Sequence, residues 1–264
     1  MTVSASAMRL VVVGGGKLND TIFRELLSLS RAKDPRVLII PQAARPKNLE
    51  STIARNQGVF ARLGVKHVEV LDLSDPQVAR AAIERADVFW MPGGLQTLLA
   101  RALQEAGVLE TLRSRVMAGV PIGGTSAGAA VMAHDMIIGT DRGESGDEMH
   151  PRFGRGFGFW PEAIIDQHFS QRRRVPRLQE AVRKHPHLVG VGIDEETAVV
   201  YDGRSVRVIG EHTVTIMRTR DAGPAGGVET IVLRSGEQFD FAAFRGDAAG
   251  QGASSKLAGA IPGP

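Results

Sequence analysis

The chain of 264 residues has no cysteine, which excludes disulfide bonds, thiolate metal ligands and a thiol nucleophile. It also lacks a run of about 18 consecutive apolar residues, which a transmembrane helix requires. Neither sign of charge is in large excess, because 32 Lys and Arg residues oppose 29 Asp and Glu residues and leave a net charge of +3. Nucleic-acid-binding proteins concentrate basic residues on one face. These absences argue against a membrane protein and against a nucleic-acid partner.

The N-terminal residues 1–8 are small and mostly uncharged, without the basic and apolar regions that make up a secretion signal. The absence of cysteine fits a reducing compartment. We therefore predict a cytoplasmic protein.

Glycine is abundant, with 31 residues, and many of these directly follow short apolar runs. The runs alternate with segments of helical periodicity, a pattern typical of βαβ units with a buried parallel sheet. The strands predicted in this way are 10–13, 37–40, 65–71, 88–91 and 120–123. The predicted helical segments are 20–31, 47–63, 76–86, 96–117 and 127–132.

The second half of the chain has a different pattern. Residues 139–159 are rich in Gly, Asp and Arg and predict a long loop. The elements predicted after it are a strand at 163–165, a basic helix at 172–185, a strand at 188–193 and a hairpin within 197–216. The hairpin is indicated by Asp202-Gly203 between alternating residues. We expect one α/β domain over residues 1–245 and a disordered Gly-, Ala- and Pro-rich tail over residues 246–264.

Gly124-Thr125-Ser126-Ala127-Gly128 has the Gly-x-Ser-x-Gly pattern of a nucleophile elbow, between a predicted strand and a predicted helix. The sharp turn of such an elbow exposes the serine hydroxyl at the edge of the sheet. Backbone N–H groups at the start of the helix then face the oxygen that becomes negative during acyl transfer. A glycine-rich turn capped by serine is the alternative. The position directly after an apolar strand favours Ser126 as a nucleophile.

A serine nucleophile needs a general base, and His168 is the best placed of the seven histidines. It closely follows the predicted strand 163–165 and so lies at the carboxyl edge of a parallel sheet, where ligands bind. Histidines in loops or at helix ends are more often surface or packing residues. We therefore predict that His168 accepts the proton of Ser126.

Two further glycine clusters follow predicted strands. Gly93-Gly94 predicts an oxyanion hole in which the N–H groups of Gly94 and Ala127 bind the developing negative charge. An ordinary turn between a strand and a helix is the alternative for this pair. Gly14-Gly15-Gly16 matches a dinucleotide-binding loop poorly, because Asn19 occupies the place of the third glycine in G-x-G-x-x-G. We predict no nucleotide cofactor.

Charged residues follow the predicted strands in the second half. Arg172-Arg173-Arg174 and Arg177 form a basic run that can bind a substrate carboxylate, although such runs are usually solvated surface. Asp194-Glu195-Glu196 has the opposite charge and can receive a guanidinium group or an amine. Groups of both signs around one site suit a zwitterionic peptide.

Four motifs, in this order, resemble the cyanophycinase family of serine peptidases, which is related to peptidase E. They are Gly-Thr-Ser-Ala-Gly-Ala at 124–129, Asp-Gln-His-Phe at 166–169, Arg-x-Arg-x-x-Arg-Leu at 172–178 and Gly-Ile-Asp-Glu at 192–195. The resemblance implies a three-layer α/β/α sandwich with a mostly parallel sheet, of the class I glutamine-amidotransferase-like kind, in a homodimer. It also implies that the substrate is cyanophycin, a poly-aspartate backbone that carries arginine on each β-carboxylate, and that the products are β-Asp-Arg dipeptides.

The resemblance implies roles for individual residues as well. Ser126 matches the nucleophile and His168 the base, while Gly94 and Ala127 match the oxyanion hole. The positions that match a substrate pocket are Gln96, Asp166, Gln167, Arg172, Arg174, Arg177 and Glu195. For the third member of the triad we choose Glu144, in the loop where the family has an acidic residue. The alternatives that stay open are Asp141, Asp147, Glu148 and Glu195.

We therefore predict an exopeptidase that hydrolyses cyanophycin through an acyl-enzyme, without a metal or an organic cofactor. One alternative is an aspartyl or isoaspartyl dipeptidase of the peptidase E type. The other is a non-catalytic binding protein on the same fold.

Overall fold

The structure, a computed structural model, describes residues 8–142, 149–220 and 227–246. Of the tail predicted to be disordered, residues 247–264 lie outside the described residues, while Gly246 caps the last described helix. The strands in the described ranges are β1 (Leu10–Val13), β2 (Arg36–Ile39), β3 (His67–Val70), β4 (Val88–Met91), β5 (Ile122–Thr125), β6 (Asp135–Arg142), β7 (Met149–Arg155), β8 (Ala163–Gln167), β9 (Val189–Ile193), β10 (Thr197–Tyr201), β11 (Ser205–Gly210), β12 (Thr213–Thr219), β13 (Val228–Arg234) and β14 (Gln238–Asp240). The α-helices there are α1 (Asp20–Ser28), α2 (Leu49–Arg62), α3 (Pro76–Arg85), α4 (Gln96–Glu105), α5 (Leu109–Met117), α6 (Ala127–Ala130), α7 (Val175–Lys184) and α8 (Phe241–Arg245).

The larger sheet has the strand order β14-β11-β10-β1-β5-β4-β2-β3. Strands β1, β5, β4, β2 and β3 are joined by parallel pairs, as the alternation of apolar runs and helices predicts. Strands β10, β11 and β14 extend the sheet beyond β1 through antiparallel pairs. All residues of β1 and β4 are buried, because the centre of a parallel sheet is covered on both faces.

Helices cover both faces of this sheet, so the predicted three-layer α/β/α sandwich is confirmed. On one face, α1 and α2 share a buried cluster with Val11, Val13 and Trp90. On the other face, α3, α4 and α5 share a cluster with Leu10 and Val12. Successive residues of β1 point to opposite faces, which explains why an unbroken apolar run occupies this strand.

A second sheet of four strands has the order β13-β12-β9-β8. Helix α7 packs on it through Leu178, Ala181 and Val182, which are fully buried. Strands β8 and β9 are parallel neighbours. Residues that follow the carboxyl ends of these two strands therefore come side by side, and these residues include His168 and Glu195.

The prediction of a long loop over 139–159 is wrong, because β6 and β7 form an antiparallel hairpin there. The pairing runs from Asp135 opposite Arg155 to Arg142 opposite Met149. A two-stranded ribbon leaves much of its surface to solvent, so its composition can be polar and still form strands. The middle of the predicted loop, 143–148, lies outside the described residues.

Two helix predictions differ from the structure in extent. The single helix predicted over 96–117 is two helices, α4 and α5, because Gly107 between them has a φ of 63°. Helix α6 spans Ala127–Ala130 and is shorter than predicted. The hairpin around Asp202-Gly203 is confirmed by the pairing of β10 with β11. Among the described residues, no helix combines the length and apolarity needed to cross a membrane.

Candidate active site

Ser126 lies in the turn between β5 and α6 with a φ of 53° and a ψ of −107°, a backbone conformation rare for a residue with a side chain. The two glycines of the motif permit the turn. A Cβ on Gly128 would lie 2.1 Å from the carbonyl oxygen of Met91, and a Cβ on Gly124 would lie 2.4 Å from that of Gly128. The sequence pattern is therefore explained by close backbone packing around a strained serine.

The side chains of Ser126, His168 and Glu195 form a continuous hydrogen-bonded chain. His168 Nε2 lies 2.9 Å from Ser126 Oγ, and His168 Nδ1 lies 2.6 Å from Glu195 Oε1. Each residue follows a different strand, so the site lies where β5, β8 and β9 end. A hydroxyl, an imidazole and a carboxylate in this order have the geometry of a serine-hydrolase triad.

Burial lowers the pKa of His168, and the positive charges of Arg172 and Arg174 lower it further. The hydrogen bond and the charge of Glu195 oppose this shift but do not cancel it. The imidazole is therefore neutral at neutral pH, with Nε2 able to accept the proton of Ser126.

This balance predicts a pH profile. Because only neutral His168 can act as a base, kcat/KM is lost as the pH falls through its pKa, and the acidic limb lies below the ordinary pKa of 6.5. The substitution Arg172→Gln removes a lowering charge and moves this limb to higher pH. The measurement is kcat/KM against pH for both proteins, with Arg173→Gln as a control. An acidic limb that does not move in Arg172→Gln contradicts the electrostatic explanation.

The turn Gly14–Gly16, for which sequence reasoning found no role, holds the site together. The carbonyl oxygens of Val13, Gly14 and Gly15 accept hydrogen bonds from the backbone N–H groups of Ser126, His168 and Glu196, at 3.0, 2.7 and 2.8 Å. Three consecutive carbonyl groups thus tie down the segments that carry the nucleophile, the base and the carboxylate. The only signal in the sequence is a run of glycines after β1.

Gly15 also makes room for the imidazole. A Cβ at this position would lie 2.2–2.7 Å from three ring atoms of His168, and the φ of +115° is unfavourable for other residues. A shift of the ring by about 1 Å is enough to cost about 100-fold in rate. We therefore expect Gly15→Ala to lower kcat by about 100-fold or more, as measured by steady-state kinetics.

Gly64→Ala is the matched control for this prediction. Gly64 also has a positive φ, of +83°, but a Cβ there would meet no atom within 4 Å. The Gly64→Ala variant has the unfavourable backbone conformation of a non-glycine residue at positive φ, but no steric clash. Its melting temperature should therefore fall while kcat stays unchanged. Equal kcat values for the two variants would contradict the positioning role of Gly15.

Asp194 is a second positioning residue that sequence reasoning did not single out for this role. Its buried carboxylate accepts hydrogen bonds from the N–H of Ser170 at 2.9 Å and from the hydroxyl of Thr213 at 2.7 Å. Burial opposes ionisation, but these hydrogen bonds outweigh it and hold the pKa of Asp194 below its usual value. The contacts fix the loop after His168 to the end of β9.

The glycine pair predicted to form the oxyanion hole follows β4. A Cβ on Gly93 would lie 3.3 Å from the Cβ of Ser126, which places this turn directly beside the serine. Gly94 is exposed, and its Cα faces the carbonyl of Ala43 closely enough to exclude any side chain. Helix α6 has only one turn, so the groups that can stabilise negative charge there are local backbone N–H groups such as that of Ala127.

Three of the predicted pocket residues form a buried ion-pair cluster. The fully buried carboxylate of Asp166 accepts hydrogen bonds from Arg174 Nη1 at 3.2 Å and from Arg177 Nε at 2.9 Å. Arg174 Nη1 also donates to Gln167 Oε1 at 3.0 Å. Burial lowers the pKa of Arg174 to about 10, although Asp166 opposes the shift. Two guanidinium groups and one carboxylate leave a positive charge beside the site.

The predicted pocket residues Arg172 and Gln96 lie outside the ion-pair cluster. Helix α7 begins at Val175, so Arg172 and Arg174 precede the helix instead of lying on it as predicted. Arg172 is exposed, and its charge acts on His168. The Gln96 side chain donates to the carbonyl oxygen of Ile137 at 2.9 Å and so ties α4 to the β6–β7 hairpin.

The orienting position on His168 is occupied by Glu195, one of the alternatives left open by the sequence. Glu144, the residue chosen there, lies outside the described residues, as do Asp147 and Glu148. Asp141 is exposed and pairs with Arg152 at 3.3 Å. We therefore assign Glu195 to the third position as a proposal, which moves it from the predicted substrate pocket.

Comparison with known proteins shows the family to which the chain belongs. The family model of peptidase family S51 matches residues 10–209. A cyanophycinase from Geminocystis herdmanii (strain PCC 6308) is 38% identical over 220 residues, which are 78% of this chain and 79% of the relative. A cyanophycinase from Trichormus variabilis (strain ATCC 29413 / PCC 7937) is 34% identical over 226 residues, 82% of this chain and 75% of the relative.

Among solved structures, a peptidase from an acI-B1 Actinobacterium has a TM-score of 0.69 and 21% identity, and covers 91% of this chain and 100% of its own. That likeness confirms the fold. The resemblance to cyanophycinases inferred from the four motifs is confirmed by relatives that match most of the chain. On these matches, the protein belongs to peptidase family S51.

Proposed function

We propose that the protein is a serine-type exopeptidase that hydrolyses cyanophycin and releases β-Asp-Arg dipeptides through an acyl-enzyme on Ser126. The observation that carries this proposal is the hydrogen-bonded chain from Ser126 through His168 to Glu195, with Ser126 in a strained turn. The likeness to cyanophycinases supports the choice of substrate.

In the proposed reaction, Ser126 Oγ attacks an aspartyl carbonyl carbon while its proton passes to His168 Nε2. Glu195 accepts the hydrogen bond from Nδ1 and stabilises the imidazolium that forms. The N–H groups of Gly94 and Ala127 bind the oxyanion of the tetrahedral intermediate. His168 then protonates the leaving amine, and water repeats the sequence to release the acyl group and restore Ser126.

The charges around the site suit a zwitterionic substrate. Each arginine of cyanophycin carries a cationic guanidinium group and a free carboxylate. The exposed Arg172 is placed to bind a carboxylate, and the buried cluster of Asp166, Arg174 and Arg177 adds positive charge nearby. Glu196, which follows the triad carboxylate, is placed to attract a guanidinium group.

The experiment that tests the substrate uses purified protein on washed insoluble cyanophycin, on the dipeptide β-Asp-Arg and on the α-aspartyl dipeptide Asp-Leu. Soluble products are identified by mass spectrometry. We expect β-Asp-Arg from the polymer as the main product from the first time point, as exopeptidase action requires. Cleavage of only the dipeptides identifies an aspartyl or isoaspartyl dipeptidase instead. Binding of the polymer without any cleavage identifies a non-catalytic binding protein.

Three further parts of the proposal rest on the sequence. They are a homodimer, a cytoplasmic location and one domain over residues 1–245. The oligomeric state is measured by light scattering of the purified chain, which should give twice the mass of 28.2 kDa.

A further inference from the structure

A group of side chains of the kinds that ligate metal ions lies away from the triad, where the start of β6 meets the residues after α7. Asp135, His185 and His187 each offer one ligand atom, and these atoms all lie within 4.8 Å of one another. Asp135 Oδ2 and His185 Nδ1 are 3.9 Å apart. We propose that these three side chains bind a divalent transition-metal ion of the zinc type.

Two of the three ligands are already held in position by neighbours. His134 Nδ1 lies 2.9 Å from Asp135 Oδ1, a hydrogen bond that leaves Oδ2 turned toward His185. The ring of Phe153 packs edge-on against the His185 imidazole, with 4.4 Å between centroids. Hydrogen-bonded carboxylates and restricted imidazoles are the usual surroundings of a metal ligand. His187 is exposed and can rotate to complete the set.

The donor atoms select the kind of ion. Two imidazoles and one carboxylate suit zinc and its transition-metal neighbours, whereas magnesium and calcium prefer oxygen ligands. Three protein ligands and one water complete a tetrahedral zinc site. The three ligand atoms lie at most 4.8 Å from one another. Small side-chain rotations are therefore enough to bring all three into contact with one ion.

The site is structural and does not depend on the proposed peptidase activity. Helix α7 has ten residues and a length of about 15 Å, with Arg174 at its first end and His185 at its last. A bound ion would therefore join the base of the β6–β7 hairpin to the far end of α7. Since an ion that binds only the folded chain stabilises it, zinc should raise the melting temperature.

The test is isothermal titration of ZnCl₂ into untagged, chelator-treated full-length protein. We expect one zinc ion per chain. His185→Ala and His187→Ala should each weaken binding by at least about 10- to 100-fold and remove the zinc-dependent rise in melting temperature. His187 is exposed, so its variant is expected to fold; circular dichroism checks both variants.

Two control variants separate this site from other histidines. His212→Ala removes an exposed histidine outside the cluster, and His168→Ala removes the triad imidazole. Both should bind zinc as the wild type does. Absorption of the cobalt-substituted protein should report tetrahedral coordination. A wild type that binds no zinc overturns the proposal, as does zinc binding that survives in His185→Ala and His187→Ala or is lost in His168→Ala.

Discussion

Replacement of Ser126 by alanine is expected to lower kcat by about 10⁶-fold, the largest effect of any single substitution. Without Oγ no acyl-enzyme forms, and His168 has no hydroxyl to deprotonate at 2.9 Å. Some catalysis over water should persist, because the oxyanion N–H groups and the binding contacts remain. The measurement is the rate of dipeptide release from cyanophycin under substrate saturation.

The fold should survive this substitution, because the Ser126 backbone N–H that bonds to Val13 is kept. An alanine Cβ occupies the same position as the serine Cβ. Ser114→Ala, on the exposed surface of α5, is the matched control and should leave the rate unchanged. A Ser126→Ala protein that retains more than a small fraction of the wild-type rate would show that another group is the nucleophile.

Replacement of Glu195 by glutamine is expected to lower kcat by about 10⁴-fold. The amide has nearly the same shape as the carboxylate, so packing against His168 is preserved. It has no negative charge to stabilise the imidazolium, and its NH₂ group can hold the imidazole in the wrong tautomer. Glu195 Oε1 lies 2.6 Å from His168 Nδ1, so the substitution acts directly on the catalytic base.

Two control variants decide which acidic residue completes the triad. Glu196→Gln changes the neighbouring carboxylate, which the triad does not use, so it should raise KM for cyanophycin and leave kcat nearly unchanged. Glu144→Gln tests the residue chosen from the resemblance to the family. If Glu144→Gln causes the large loss and Glu195→Gln does not, the assignment of Glu195 to the third position is wrong.

The sequence predicts the nucleophile and the base because both lie in short motifs directly after apolar strands. The elbow glycines report close backbone packing within a few residues of Ser126, and His168 follows β8. The orienting carboxylate of Glu195 is 27 residues from His168 in the sequence. The two side chains meet because β8 and β9 are parallel neighbours in a second sheet. No local sequence pattern specifies that pairing, so the sequence leaves Glu195 as one of several alternatives for the third member of the triad.

Other features escape sequence reasoning for the same reason. Gly15 is needed because the imidazole of His168, far along the chain, packs against its Cα. The basic run with Arg174 and Arg177 predicts a site for a substrate carboxylate. In the structure both guanidinium groups instead pair with the carboxylate of the buried Asp166. The hairpin of β6 and β7 is stabilised by pairing between strands, which outweighs the polar composition of the segment.

Covalent labelling shows whether Ser126 is an activated nucleophile. Wild-type protein and Ser126→Ala are incubated with a fluorophosphonate, which transfers its phosphonyl group to an activated serine oxygen with loss of fluoride. Peptide mass spectrometry then locates the adduct. We expect one adduct per chain, on the peptide that contains Ser126, and none in the variant. An adduct on another residue, or no adduct in a wild-type protein that cleaves its substrate, would show that Ser126 is not the nucleophile.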